Sequence, residues 1–162
     1  EIFRKYKNLF RDLACKGGYA YMGKPGAGHF VKMVHNGIEY GMMQALAEGF
    51  AVMKASPFAF DLTKTARLYN HKSVIESRLV GWLQKAFDQH GENLDEISGT
   101  VSHSGEGSWT VEAAKELGTS VPVIEGSLNF RIQSQANPSY TGQILSAVRN
   151  QFGGHEVFKK TS

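Results

Sequence analysis

From about His29 to Lys54 the chain reads as one unbroken helix, preceded by Pro25-Gly26 and stopped ahead of Pro57. At 1.5 Å per residue it is nearly 40 Å long, roughly the width of a small domain. A chain of 162 residues has room for one real core. A helix of this length must therefore be its spine, and what its faces carry decides the kind of domain that forms.

One face is unusual. On a wheel of 100° per residue with Lys32 at zero, Asn36 falls at about 40°, Glu39 at about −20°, His35 at about −60° and Tyr40 at about 80°. Met33, Val34, Ile38, Gly41 and Ala45 cover the other sides, so the helix is expected to be buried nearly all round. Lys32 and Glu39 are two turns apart, roughly 10–11 Å, and so are not an i,i+4 surface pair. A Lys and a Glu buried on one face must be paired or must carry chemistry with shifted pKa values. The pattern alone leaves two readings open, a satisfied polar seam or a reactive site.

The remaining segments supply helices to pack on this spine. Residues 1–15 read as an amphipathic helix through Ile2, Phe3, Tyr6, Leu9, Phe10 and Leu13, ended by Gly17-Gly18. Tyr19-Ala20-Tyr21-Met22 is a strand candidate, broken by Gly23-Lys24-Pro25-Gly26. Helix, glycine turn and strand together suggest that residues 1–25 are the tail of a Rossmann-type domain. Residues 26–162 are then a helical domain, with a helix over 61–71 and another opened by a capping box at Ser73-Val74-Ile75-Glu76 and closed by Gly91. Thr110 is expected to cap a helix ending near Gly118, Pro122 to open the next, and Ser139 to precede the last, which Gly153-Gly154 releases. The fold class expected is all-α with a short α/β remnant at the N-terminus.

Composition removes several functions. The formal net charge is +3, from 18 basic and 15 acidic residues without a basic block, so nucleic acid is not an expected partner. No apolar run approaches the ~18 residues of a membrane span. A single cysteine, Cys15, cannot close an internal disulfide and suits a reducing, cytoplasmic setting. His71, His90 and the methionines show no ligand spacing, so no metal is expected. Gly26-Ala27-Gly28 lacks the third glycine of a dinucleotide fingerprint, whose place Val31 takes, and reads instead as a tight turn that lets strand and helix approach.

The stretch His29-Phe30-Val31-Lys32-Met33-Val34-His35-Asn36-Gly37-Ile38-Glu39-Tyr40-Gly41 resembles the signature of the decarboxylating 6-phosphogluconate dehydrogenases. Asn129-Phe130-Arg131 and Arg149-Asn150-Gln151-Phe152-Gly153-Gly154-His155 are similar to two further segments of that family, and the loop with Gly105, Gly107, Trp109 and Thr110 resembles its shorter bacterial branch. Ser104 and Glu106 stand where long-chain members carry lysine and threonine, which argues against phosphate contact from this loop. Met42 stands where they usually carry aspartate.

The resemblance implies the helical substrate-binding and dimerisation domain of an enzyme that converts 6-phosphogluconate to ribulose 5-phosphate with NADP or NAD. It implies Lys32 as base and later acid, and Glu39 as proton donor to the enediol. His35, Asn36 and Tyr40 would hold substrate, with Arg131 and a partner subunit's Arg149 and His155 at the phosphate. The cofactor would be bound by a domain outside this chain, leaving the fragment alone inactive. The opening residue Glu1, where a complete chain would start on Met, suggests a piece of a longer protein. Two alternatives remain: a β-hydroxyacid dehydrogenase, whose Gly-x5-Lys-x3-Asn core Gly26, Lys32 and Asn36 satisfy, and a non-catalytic oligomerisation module.

Overall fold

The computed structural model describes residues 1–155, so residues 156–162 of the expected helical domain lie outside the described part. It places helices α1 (Ile2–Lys5), α2 (Lys7–Leu13), α3 (Ala27–Ala55), α4 (Leu62–Tyr69), α5 (Arg78–His90), α6 (Glu106–Glu116), α7 (Pro122–Ser134) and α8 (Tyr140–Gly153). Gly26, left-handed at φ +95°, opens α3 two residues earlier than expected. No Cβ added at Gly26 or Gly28 would meet anything within 4 Å. Gly26 is thus required by its backbone angle, and the expected close approach of a strand is absent.

The spine packs through every third or fourth residue. Tyr40, Met43, Ala47 and Phe50 form its buried stripe. Against the last three lie Leu62 and Ala66 of α4, Leu79, Leu83, Ala86 and Phe87 of α5, and Ile144, Leu145 and Val148 of α8. Phe50, Phe87, Leu83 and Ile144 are essentially fully buried, each contributing about 1.5–3 kcal/mol of apolar burial. Tyr40 belongs to a second, smaller cluster with Val111 of α6 and Leu128 of α7.

The connection from α5 to α6 is anchored by side chains of α7 and α8, which is how an irregular segment stays ordered near a core. Gln143 donates to the carbonyls of Leu94 (3.1 Å) and Ile97 (2.7 Å), Ser146 to that of Thr100 (2.6 Å), and Gln135 to that of Val101 (3.0 Å). Gly142 lets the loop touch α8, since a Cβ there would sit 1.8 Å from the Gly99 carbonyl oxygen.

Several local expectations are corrected. The N-terminal helix breaks at Tyr6 (φ −107°, ψ 20°), and neither half buries a residue. Within it Phe3 stacks on Phe10, and Phe3 meets Tyr21 of the following segment at a tilt, with ring centroids 5.3 Å apart in each pair. Tyr19–Met22 forms no strand, because a strand needs a ladder partner and none of the described residues offers one. The described chain is therefore all-helical, without the β half of the expected remnant.

The helix after Ser73 begins at Arg78, capped by Ser77, whose hydroxyl accepts from the Val80 amide at 3.3 Å. The Glu76 carboxylate is taken by the Lys72 amide (2.8 Å), inside a turn where Lys72 is left-handed, so no capping box forms. Thr110 lies in the second turn of α6, which starts at Glu106 behind left-handed Gly105. Pro122 at the start of α7 and Ser139 as cap of α8 are as expected.

Candidate active site

Lys32, His35, Asn36 and Glu39 do meet on one side of α3. The Lys32 ammonium donates to Asn36 Oδ1. His35 Nδ1 stands 3.0 Å from the same oxygen, 3.4 Å from Lys32 Nζ and 4.0 Å from Glu39 Oε2. Nδ1 cannot donate to Asn36 and accept from Lys32 at once; the shorter contact favours the tautomer protonated on Nδ1. This face is not buried as expected. Lys32 and His35 are exposed, Asn36 and Glu39 half-buried, and only Tyr40 lies inside. Phe30, Val31 and Ile38 are also exposed. The first two turns of α3 stand clear of the helical body, and close packing begins only where α6 reaches Met33 and Gly37.

That contact positions the site. The Thr110 hydroxyl lies 2.8 Å from the Met33 carbonyl and 2.9 Å from that of Glu106, tying α6 to α3. Gly37 makes room for it, as a Cβ there would lie 2.7 Å from Thr110 Cγ2. Gly107 likewise lies flat on the Tyr40 ring, where a Cβ would fall 2.4 Å from Cε2. Two glycines on opposite helices thus let the backbones approach and bring Glu106 to the Lys32 side of the spine.

Arg131 reaches the same place from α7. It is 1% exposed, and its guanidinium carbon sits 3.4 Å from the Tyr40 ring centroid, a desolvated cation–π stack. Its Nε and Nη1 have no hydrogen-bond partner, nor has the Tyr40 hydroxyl. Burial pulls the Arg131 guanidinium down to about 10, with Tyr40 opposing and the charge of Arg149 adding to the fall. It remains a cation at neutral pH. Arg149, on α8, is 5% exposed and donates to the Ser102 hydroxyl at 2.9 Å. Burial lowers its pKa too, against Tyr40, Glu39 and Glu106. Buried polar atoms without partners are rare and expensive. Here Arg131 Nε and Nη1, Tyr40 Oη and Glu106 Oε2 all belong to one group of side chains.

His155 closes this side. Left-handed Gly154 turns the chain, Asn150 Nδ2 holds the His155 carbonyl at 2.9 Å, and the imidazole stands edge-on to Phe152, itself 4.9 Å from Trp82. Burial first, then Arg149, lower its pKa. Arg149 and His155 both lie within Coulombic range of Glu39, Glu106 and Arg131 of their own chain. The glycine turn folds the chain back onto α8, and within the single chain Arg149 is buried and hydrogen-bonded.

All eight expected site residues are therefore gathered by α3, α7 and α8. Ser102 and Glu106 were not expected to contribute, and the only hint was an acidic residue between two glycines at a helix start. The arrangement offers two buried guanidiniums for an anion, and an amine, an amide and a carboxylate for proton transfer beside it. The turn at Gly26 does not fit a dinucleotide: no strand leads into it and Val31 occupies the third glycine place. No three His, Cys, Asp or Glu side chains gather as a metal set among the described residues, and no helix there is long and apolar enough to cross a membrane.

Residues 28–141 match the family model "6-phosphogluconate dehydrogenase, C-terminal domain". The chain is similar to the candidate 6-phosphogluconate dehydrogenase YqeC of Bacillus subtilis, 52% identical over 160 residues, covering 99% of this chain and 54% of that protein. It is also similar to an NAD(+)-dependent, decarboxylating 6-phosphogluconate dehydrogenase of Haloferax volcanii, 38% identical over 143 residues, 88% of this chain and 48% of the relative. A decarboxylating 6-phosphogluconate dehydrogenase of Lactococcus lactis is 36% identical over 169 residues, 94% of this chain and 36% of the relative. The chain thus spans about half the length of the first two.

Proposed function

The chain belongs to the 6-phosphogluconate dehydrogenase family, and on that premise we propose that it is the substrate-binding half of an enzyme that oxidises and decarboxylates 6-phosphogluconate to ribulose 5-phosphate. The observation that carries this reading is the pair of buried arginines, Arg131 and Arg149, set beside the Lys32–Asn36–Glu39 face with unused donors on Arg131. A phosphate dianion satisfies such donors through charge-assisted bonds, and it brings to the two arginines more negative charge than the single carboxylate of a plain 3-hydroxyacid. This favours the phosphorylated sugar acid over the β-hydroxyacid alternative.

Arg131, Arg149 and Tyr40 bind the phosphate, with His155 at its edge; Asn36 and His35 hold hydroxyl groups. Lys32 takes the proton of the 3-hydroxyl as that carbon is oxidised. A lysine does this only where its charged form is disfavoured by burial or by a nearby cation. Since Lys32 is exposed on this chain, desolvation has to arrive with the bound ligand and whatever covers the site. Once protonated, the ammonium donates to the 3-keto oxygen and stabilises the enolate formed as CO2 leaves. Glu39, half-buried near the cations, then protonates C1 of the enediol. The reading leaves the oxidant of this family, NADP or NAD, to a domain of which residues 1–25 form the end. In support, α1 and α2 bury nothing of their apolar stripe.

The reading also includes a cytoplasmic, homodimeric enzyme. Assembly has its support in an apolar groove lined by Met42, Leu46, Phe50, Met53, Tyr69 and Ile75, further along α3 from the catalytic residues. The deciding experiment is activity of the full-length protein with 6-phosphogluconate set beside unphosphorylated 3-hydroxyacids, scored by CO2 release and reduced nucleotide. Preference for the unphosphorylated acids, or oxidation without CO2, refutes it.

A further inference from the structure

Three cations converge on the proposed substrate pocket, and the carboxylate that α6 adds to them has no part in the roles above. Neither Arg131 nor Arg149 has an ion-pair partner within 4.0 Å among the described residues. Glu106 starts α6, held in place by the Thr110 contact with the Met33 carbonyl and by Gly107 on Tyr40. Its Oε2 is buried without a hydrogen-bond partner, and its charge reaches Lys32, Arg149 and His155. An ionised carboxylate that touches none of these cations but lies within Coulombic range of them offsets their charge without occupying their donors.

Resting on the phosphate-ester reading above, we propose that Glu106 is a specificity-determining residue of the pocket: its carboxylate partly neutralises Lys32 and Arg149 and so limits how tightly the pocket holds a phosphate group. The nearby Ser104 hydroxyl, the largest cause, outweighs burial and, with Lys32 and Arg149, keeps the carboxyl below its usual range, so it is ionised at neutral pH. A phosphate entering between the arginines meets this negative charge. Binding then depends on satisfying the free donors of Arg131 and Tyr40 as well as on charge, and anions that cannot do so are held weakly. The same repulsion speeds release of a phosphorylated product.

Titration of the full-length protein with inorganic phosphate, followed by calorimetry, tests this. Glu106→Gln keeps the shape and removes the charge, and should lower Kd by about tenfold, an intermediate value for a half-exposed charge acting on a buried site. The gap should narrow on raising salt from about 50 to about 200 mM. Glu106→Asp, which keeps the charge, should stay within about twofold of the parent. In an Arg149→Ala background the gain from Glu106→Gln should shrink. Should Gln disturb the helix start, Glu106→Ser is a second neutral variant. Phosphate binding by the parent that is equal or weaker in the neutral variants, or a gain as large in the Asp variant, overturns the role of Glu106. Absence of phosphate binding by the parent as well as the variants overturns the phosphate reading and this inference together.

Discussion

Replacing Gly107 by alanine should loosen the pocket from within. The added Cβ would lie 2.4 Å from Tyr40 Cε2, 2.6 Å from Cδ2 and 3.0 Å from Cζ. A ring cannot fold away like the end of a flexible chain, and on its other side the Arg131 guanidinium stands 3.4 Å from the centroid. The ring must shift and the stack must open. Overpacking of this kind costs about 1–3 kcal/mol, and loss of a desolvated cation–π contact adds up to about 2 kcal/mol. Against this, alanine is better than glycine within a helix by roughly 0.5–1 kcal/mol. The balance is a destabilisation centred on about 2 kcal/mol and reaching at most about 4.5 kcal/mol. Gly126, in α7, serves as the control, because a Cβ there meets nothing within 4 Å; Gly126→Ala should stabilise by about 0.4–1 kcal/mol. Urea unfolding of the two variants beside the parent measures both signs. KM for 6-phosphogluconate should rise in Gly107→Ala alone, as Arg131 is displaced. Gly107→Ala matching Gly126→Ala in stability would refute the packing of α6 on Tyr40.

Two further outcomes test the site. Lys32→Met should abolish oxidation, with a loss of at least 10²–10⁴ expected for an essential acid–base group, whereas Glu39→Gln should mainly slow proton delivery to the enediol, read as lost hydrogen exchange at C1 of ribulose 5-phosphate; full activity in Lys32→Met ends the assignment. If Arg149 serves a partner's pocket, as the family resemblance implies, mixing Lys32→Met with Arg149→Ala subunits should restore activity after confirmed exchange, since one site then has an intact Lys32 and an intact partner Arg149. No recovery would show that each site is built within one chain.

What the sequence determined by itself was local and periodic. The length of α3, the proline start of α7, the serine cap of α8 and the helical co-facing of Lys32, Asn36 and Glu39 follow from 3.6-residue geometry and from the backbone limits of proline, glycine and serine. Where a second segment had to take part, the sequence was silent or misleading. Ser73 and Glu76 have the spacing of a capping box, yet a left-handed Lys72 draws the carboxylate to another amide. Thr110 looks like a cap and is instead a tie between helices 77 residues apart. The polar face of α3 was expected to be buried, but burial depends on what lies opposite, and of that face the helical body encloses only Tyr40. Arg131 and Arg149 could be paired with substrate only through family resemblance. That they converge within one chain, one stacked on Tyr40 and the other held by Ser102, was decided by the crossing of α7 and α8 with the spine, because charge and desolvation are set by neighbours in space and not by neighbours in sequence.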